Sequence, residues 1–440
     1  MDMKITPKML RGRIDSVPSK SVLHRALICA ALAEGKSEIS NIVLSEDIKA
    51  TALALKALGA EVTFGANSIV VHGIRRKTGA LHETEAFESE RAKNAIREIH
   101  CGESGSTLRF MIPIAAALGA PASFIGEGQL PRRPLQTYFE ALGQKGIDFE
   151  HPKDANLPLQ MKGRLKSGHY SIPGFVSSQY ITGLLLALPI CEGDSLISVE
   201  EPFESKGYVD ITLSVMKSFG IFAEEQKRTY SIRGNQTYQS RNYDIEGDWS
   251  QAAAWLCAGA IGGDLTVYGM DPASKQGDAA VVDILRKFGA TIEILDDGGI
   301  RASRNRLEGI VIDAAQIPDI IPVLAVVAAY AKGKTEIVHA GRLRFKESDR
   351  LASTAEGLSL LGADIRVDCD SLIINGKDEL RGGAVSGYND HRIVMALSIA
   401  ASGCRQLVTI KGYGCVSKSY PHFFDDYSKL GGEINGIDIR

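Results

Sequence analysis

Six stretches of the chain share one design, and the spacing between them limits what the chain can fold into. Each runs from polar residues into a long apolar segment. They open at Lys20, Gly105, Ser178, Trp249, Asp319 and His391, in steps of 85, 73, 71, 70 and 72 residues. The first reads SKSVLHRALICAALAEG, with serines where an N-cap belongs, Lys20 and Arg25 in the opening turns, and Gly35 at the expected C-terminal cap. Its interior is apolar on nearly every side, and such a helix belongs inside a domain.

A second series keeps the same step. Amphipathic segments end at Gly59, Gly146, Gly220, Gly289, Gly362 and Gly431, spaced 87, 74, 69, 73 and 69 residues apart. Two independent markers in one register predict a repeated supersecondary unit too long for a solenoid of helix pairs. The third repeat is the clearest. A strand at Gly168–Ile172 leads to the Ser177 helix, and a strand at Asp194–Val199 leads to a helix over Asp210–Phe219. Ile221–Ala223 and Thr229–Arg233 then read as closing strands. The unit is βαβαββ. The first, second, fourth and fifth periods fit it, with less distinct strands between Asp148 and Met161, while the sixth stops at Ile439, short of a last strand. Three units before about Glu246 and three after predict two similar domains of an α/β (α+β) protein.

At 440 residues the chain is too long for one compact core. A net charge of −3 excludes nucleic acid or membrane binding through global charge, so anion binding has to come from local clustering. The seven cysteines, with no CxxC, read as buried reduced thiols rather than as a zinc or disulfide framework. The N-terminus lacks an apolar signal core, and the longest apolar run, around Ile320 to Ala331, is too short to span a bilayer. The expectation is a soluble cytoplasmic protein.

The helix openings carry Lys20, Arg25, Arg109 and Arg392. Cations are disfavoured beside a helix N-terminus unless an anion joins them, so their placement points to a bound phosphate or carboxylate rather than to surface ion pairs. If each domain aims its apolar helices at a shared cleft, six such ends converge there. Lys206, Lys275, Lys346 and Lys418 also keep register, in steps of 69, 71 and 72, and Arg133 precedes Lys206 by 73. Gly102–Thr107 and Gly126–Gly128 fail as nucleotide loops, the first lacking its lysine and the second its third glycine. Gly105 instead reads as a place where a ligand nears the backbone. Glu347, within KESDR, and Asp319 are the acid–base candidates, although a loop salt bridge and an N-cap are the bland alternatives. Asp349 reads as a cap, and His391 as a locally packed residue beside a ligand-facing Arg392.

These residues resemble the 5-enolpyruvylshikimate-3-phosphate synthases over essentially the whole chain. The motifs are Ser19-Lys20-Ser21 with Arg25, Gly105 with Arg109, Arg133-Pro134, Val176-Ser177-Ser178-Gln179, Ser205-Lys206 with Tyr208, Asp319, Lys346-Glu347-Ser348-Asp349-Arg350, Asp390-His391-Arg392 and Lys418. The resemblance implies the inside-out barrel fold of enolpyruvyl transferases, with buried parallel helices. It implies one domain of residues 1–19 plus 248–440, a second of 20–247, and an active site in the cleft between them. It further implies enolpyruvyl transfer from phosphoenolpyruvate to the 5-hydroxyl of shikimate 3-phosphate through a tetrahedral intermediate. No cofactor or metal, nucleic acid or membrane partner is expected, and a monomer is.

By position, Glu347 is then the proton donor to the methylene, Asp319 the base on the hydroxyl, and Lys20 a bridge to both substrates. Lys20, Gly105, Arg133, Gln179, Arg350, Arg392 and Lys418 hold phosphoenolpyruvate, in a pocket that glyphosate shares. Lys20, Ser21, Arg25, Ser177, Ser178, Gln179, Ser205, Asp319 and Lys346 hold shikimate 3-phosphate. Two departures stand out. Glu103-Ser104-Gly105-Ser106 replaces the frequent Asn-Ala-Gly-Thr, and Arg342 stands where many members have asparagine. Glu103 is expected to stay clear of the ligand. UDP-N-acetylglucosamine enolpyruvyl transferases share the architecture, but their mobile loop carries a cysteine, absent from GEGQLPRR here. A non-catalytic phosphometabolite binder has no use for Asp319 and Glu347.

Overall fold

All six apolar runs are helices, and their flanks are sealed. The computed structural model describes residues 2–74 and 96–436. Helices of two kinds alternate along it: α1 Lys20–Leu32, α2 Glu46–Ala57, α3 Gly105–Leu118, α4 Gln136–Gly143, α5 Ser178–Ala187, α6 Lys206–Ser218, α7 Trp249–Ile261, α8 Val281–Phe288, α9 Ile321–Tyr330, α10 Arg350–Leu360, α11 His391–Ser402 and α12 Phe423–Lys429. The odd-numbered helices are the apolar series, and every residue of α7, α9 and α11 is buried. Burying each large apolar side chain contributes roughly 1.5–3 kcal/mol, which is why these helices need no polar face.

Side-chain oxygens of Ser104, Ser177, Asp248 and Asp390 cap α3, α5, α7 and α11. Pro113 inside α3 removes the N–H that would bind the Arg109 carbonyl, and the Tyr138 hydroxyl donates to that carbonyl instead, at 2.8 Å. The second glycine series follows the even-numbered helices in left-handed conformation, with φ of 106°, 86°, 79°, 98°, 101° and 87° from Gly59 to Gly431. Gly35 differs from expectation. The strand Ala33–Glu34 separates it from the end of α1, so it serves a turn and not the helix cap.

In the third repeat the sheet runs Gly168–Pro173, Ser195–Glu200, Thr229–Ile232, Ala223–Gln226, with the first pair parallel and the others antiparallel. Two boundaries depart from the sequence reading. The helix starts at Lys206, behind a left-handed Ser205 (φ 54°), because weak helix formers there hide its first turn. The strand begins only at Ala223, because the Phe222 backbone bonds the Gln236 amide at 2.9 and 3.0 Å rather than a neighbouring strand.

Five further sheets repeat this order, and three are completed by strands from far along the chain. The strand Arg11–Asp15 directly precedes α1 yet pairs in parallel with Asp264–Tyr268 of the fourth unit. The first unit takes Tyr243–Asp244 as its leading strand. The last strand missing from the sixth unit is Asp2–Thr6, inserted between Val408–Lys411 and Glu433–Gly436. The chain accordingly divides into two compact units, residues 1–19 with 246–440 and residues 20–245. Each has its own apolar core.

Six cysteines are buried free thiols and Cys369 is exposed. Among the described residues no helix is long and apolar enough to cross a membrane.

Candidate active site

In residues 20–245 the predicted residues gather at the N-terminal ends of α1, α3, α5 and α6. Lys20 opens α1 and pairs with Asp47 at 2.8 Å. Arg25, one turn on, is buried and spends its donors locally: Nη1 on the Ser21 carbonyl at 2.6 Å, Nε on Thr212 at 2.7 Å, and Nη2 on the Tyr208 carbonyl at 3.0 Å. Phe110 lies 5.2 Å beneath its guanidinium. Burial lowers the Arg25 pKa to about 10, which leaves it charged at neutral pH. It therefore stands behind Ser21 and sets that residue's backbone.

Gly105 is the first residue of α3, and its backbone lies outside the left-handed region. A Cβ built on it would come within 2.8 Å of Arg133 Cζ, so the two residues adjoin. Arg109 holds Gln179 from below, donating from Nη1 to Oε1 at 2.6 Å, and its Nη2 binds the Pro134 carbonyl at 3.0 Å. Gln179 then donates to Ser106 at 2.9 Å. Ser177 caps α5, Ser178 is its buried first residue, and Ser205 is the buried residue before α6. Glu103 leans on Gly128, where a Cβ would fall within 2.5 Å of its carboxyl carbon.

Neither a surface ion pair nor an open cation describes Arg25 and Arg109. Among the described residues no carboxylate lies within ion-pair reach of either. Lys206, by contrast, is engaged by Asp210 at 2.5 Å and Glu225 at 3.0 Å.

Residues 246–440 hold the acid–base candidates in one network centred on Arg350. Its side chain is 2% exposed and meets three carboxylates: Asp390 (Nε–Oδ2 2.8 Å), Asp319 (Nη1–Oδ1 2.8 Å) and Glu347 (Nη2–Oε2 2.5 Å). Burial alone would lower the Arg350 pKa, but Asp390, Glu347 and Asp319 outweigh it and raise it. Lys346 binds the same Asp319 oxygen at 3.0 Å. Burial depresses the Lys346 pKa, opposed by Asp319 and reinforced by Arg342 and Arg350.

Asp319 does not cap α9, which begins two residues later without a side-chain cap. Asp349 does cap α10, accepting from Ala352. Arg392 donates to Ser250, at 2.8 Å to its carbonyl and 2.5 Å to its hydroxyl, and Ser250 is tied to Asp248, the cap of α7. Lys418 donates to the Asn389 carbonyl at 2.8 Å, beside Asp390.

Asp390 is the residue the sequence concealed. It accepts from Arg350, Ser348 and the Arg392 N–H while wholly buried. A DHR triplet gives no local signal for that hub.

Comparison with known proteins follows these motifs. Residues 5–427 match the family described as EPSP synthase (3-phosphoshikimate 1-carboxyvinyltransferase). The chain belongs to the EPSP synthase family. It is 45% identical to a 3-phosphoshikimate 1-carboxyvinyltransferase of Clostridium acetobutylicum over 434 residues, 98% of each chain. It is 46% identical to one of Clostridioides difficile over 436 residues, again 98% of each. The EPSP synthase structure from Acinetobacter baumannii superposes with a TM-score of 0.79 at 25% identity, over 99% of this chain and 100% of that one. The enolpyruvyl transferase NikO from Streptomyces tendae shares the fold, with a TM-score of 0.76 at 18% identity over 99% and 98% of the two chains. In this EPSP synthase family member Lys20, Arg25 and Arg109 belong to residues 20–245, whereas the carboxylate network, with Arg350 and Arg392, belongs to residues 246–440.

Proposed function

We propose that the chain transfers the enolpyruvyl group of phosphoenolpyruvate to the 5-hydroxyl of shikimate 3-phosphate, releasing phosphate. The observation that carries this reading is the Arg350 network, in which Asp319 and Glu347 are both held by the buried Arg350 and Asp319 also by the part-buried Lys346. Adding an alcohol across an enol double bond needs an acid for the methylene and a base for the hydroxyl. Glu347, held by Arg350, serves as the acid. Asp319, gripped by Lys346 and Arg350, serves as the base.

The helix ends of residues 20–245 supply the anion sites. Gly105, Arg133 and Gln179 take phosphoenolpyruvate together with Arg350, Arg392 and Lys418. Ser21, Ser177, Ser178, Gln179 and Ser205 take shikimate 3-phosphate, with Arg25 behind Ser21 and with Asp319 and Lys346 from the other unit. Lys20 meets both substrates. Both units serve one reaction as a monomer, without cofactor. Phosphate release from phosphoenolpyruvate tests the reading. Release with shikimate 3-phosphate and none with UDP-N-acetylglucosamine is expected, and the reverse preference overturns it.

A further inference from the structure

A chain of polar side chains crosses the apolar interior of residues 20–245 and ends at the turn that presents Gly105. His24 Nδ1 lies 2.7 Å from the Thr51 hydroxyl, and that hydroxyl lies 2.7 Å from the Thr107 hydroxyl. Thr107 donates to Ser104 Oγ at 2.8 Å, and Ser104 caps α3 by accepting the Thr107 N–H at 3.2 Å. All four residues are at most 1% exposed. The chain therefore links α1, which carries Lys20 and Ser21, through α2 to the first turn of α3.

Its direction follows from its far end. Among the described residues His24 Nε2 is buried with no hydrogen-bond partner, and the imidazole meets the Phe110 ring at 86°, centroids 6.5 Å apart. A buried N–H left unpaired is rarer and costlier than an unpaired acceptor, so the ring hydrogen belongs on Nδ1. His24 then donates to Thr51, Thr51 to Thr107, and Thr107 to Ser104. The opposite tautomer would leave a buried donor unpaired. Burial, with Lys20 and Arg25 nearby, keeps the ring uncharged.

We propose that His24 is a positioning residue for the donor subsite: as the Nδ1–H tautomer it acts through Thr51, Thr107 and Ser104 to fix the Gly105 backbone against Arg133. This rests on the reading of Gly105 as part of the phosphoenolpyruvate pocket. A polar chain buried among helices that apolar isosteres would pack as well is expected to specify geometry more than to add stability.

The test uses the full-length protein. Thr51→Val keeps the shape and cuts the chain. It should raise the KM for phosphoenolpyruvate roughly three- to tenfold and leave that for shikimate 3-phosphate within about twofold, with Thr51→Ser restoring the first. Equal shifts in both KM values, or a lowered melting temperature with neither KM changed, overturn the proposal. Nitrogen-15 histidine spectra of the unaltered protein, with His24 assigned by its loss in His24→Gln, provide a readout free of folding defects. An Nδ1–H ring at about pH 7 is expected, and an Nε2–H ring or an imidazolium overturns the chain. If the unaltered protein releases no phosphate from phosphoenolpyruvate, the functional reading has failed first, and the spectra still decide the tautomer.

Discussion

Asp390 grips Arg350 side-on, with Nε–Oδ2 at 2.8 Å and Nη2–Oδ1 at 3.2 Å, and the aspartate is wholly excluded from solvent. A paired fork of this kind is among the stronger hydrogen-bond geometries, and removing one partner leaves a buried charge poorly compensated. Asp390→Asn tests this cleanly, because asparagine caps a helix as well as aspartate does and the α11 cap survives. We expect a loss of about 3 kcal/mol, at the low end for a broken buried pair because Asp319 and Glu347 still face Arg350. That corresponds to ~6–12 °C in thermal unfolding. An unchanged melting curve would show that Asp319 and Glu347 suffice.

Glu347→Gln should retain substrate binding and lose turnover. Glutamine can still accept from Arg350 Nη2, now 2.5 Å from Glu347 Oε2, so the loop keeps its anchor while the transferable proton is gone. General acid catalysis contributes ~10²–10⁴-fold, and kcat should fall by that order. Calorimetry showing substrate binding lost along with the rate would make Glu347 a structural residue.

His24 gives the unfolding equilibrium a specific pH dependence. Its folded pKa lies well below the usual 6.5 because of burial first and then Lys20 and Arg25. Above the unfolded value neither state carries the proton, so the imidazole has no effect on stability. Below it the unfolded chain binds a proton that the fold refuses, and stability falls by up to about 1.4 kcal/mol per pH unit until the folded pKa is reached. The stability difference between the unaltered protein and His24→Gln should therefore shift in favour of the variant as pH drops from about 7 to about 5. Parallel curves over that window would mean that the ring takes up its proton in the fold.

The repeat and the buried helices were legible because their signals are local. A helix apolar on all faces and a glycine that ends its neighbour are visible within about twenty residues. The strand exchanges were not, since Arg11–Asp15 adjoins α1 in sequence and pairs with Asp264–Tyr268 only through long-range packing. The same limit governs the site. The cationic residues could be named one by one, but the sequence could not tell that Lys206 is engaged by Asp210 and Glu225 while Lys346, at the same repeat position, grips Asp319. Nor could it tell that Arg350, read as a clamp for substrate, has three carboxylates from 3, 31 and 40 residues away around it. Ion pairing across loops has no sequence period.

Gly105 sets the last expectation, because its geometry separates two explanations of the glycine. Were the residue kept for a tight turn, its backbone would occupy the left-handed region and alanine would cost roughly 1 kcal/mol. It occupies no such region. It opens α3, where alanine is a favoured residue, and the obstacle to a methyl group is the Arg133 guanidinium, 2.8 Å away at Cζ. That group is the far end of a flexible side chain, so it can yield without unfolding anything. Gly105→Ala should then leave thermal stability nearly unchanged and push Arg133 off its position. If displacing Arg133 weakens phosphoenolpyruvate binding by about 1–3 kcal/mol, its KM should rise roughly 5- to 150-fold. Glyphosate, longer than phosphoenolpyruvate and expected from the resemblance to share its pocket, should lose more. Inhibition curves for both proteins decide it: a variant that loses stability while the ratio of glyphosate to phosphoenolpyruvate affinity stays fixed would remove Gly105 from the pocket.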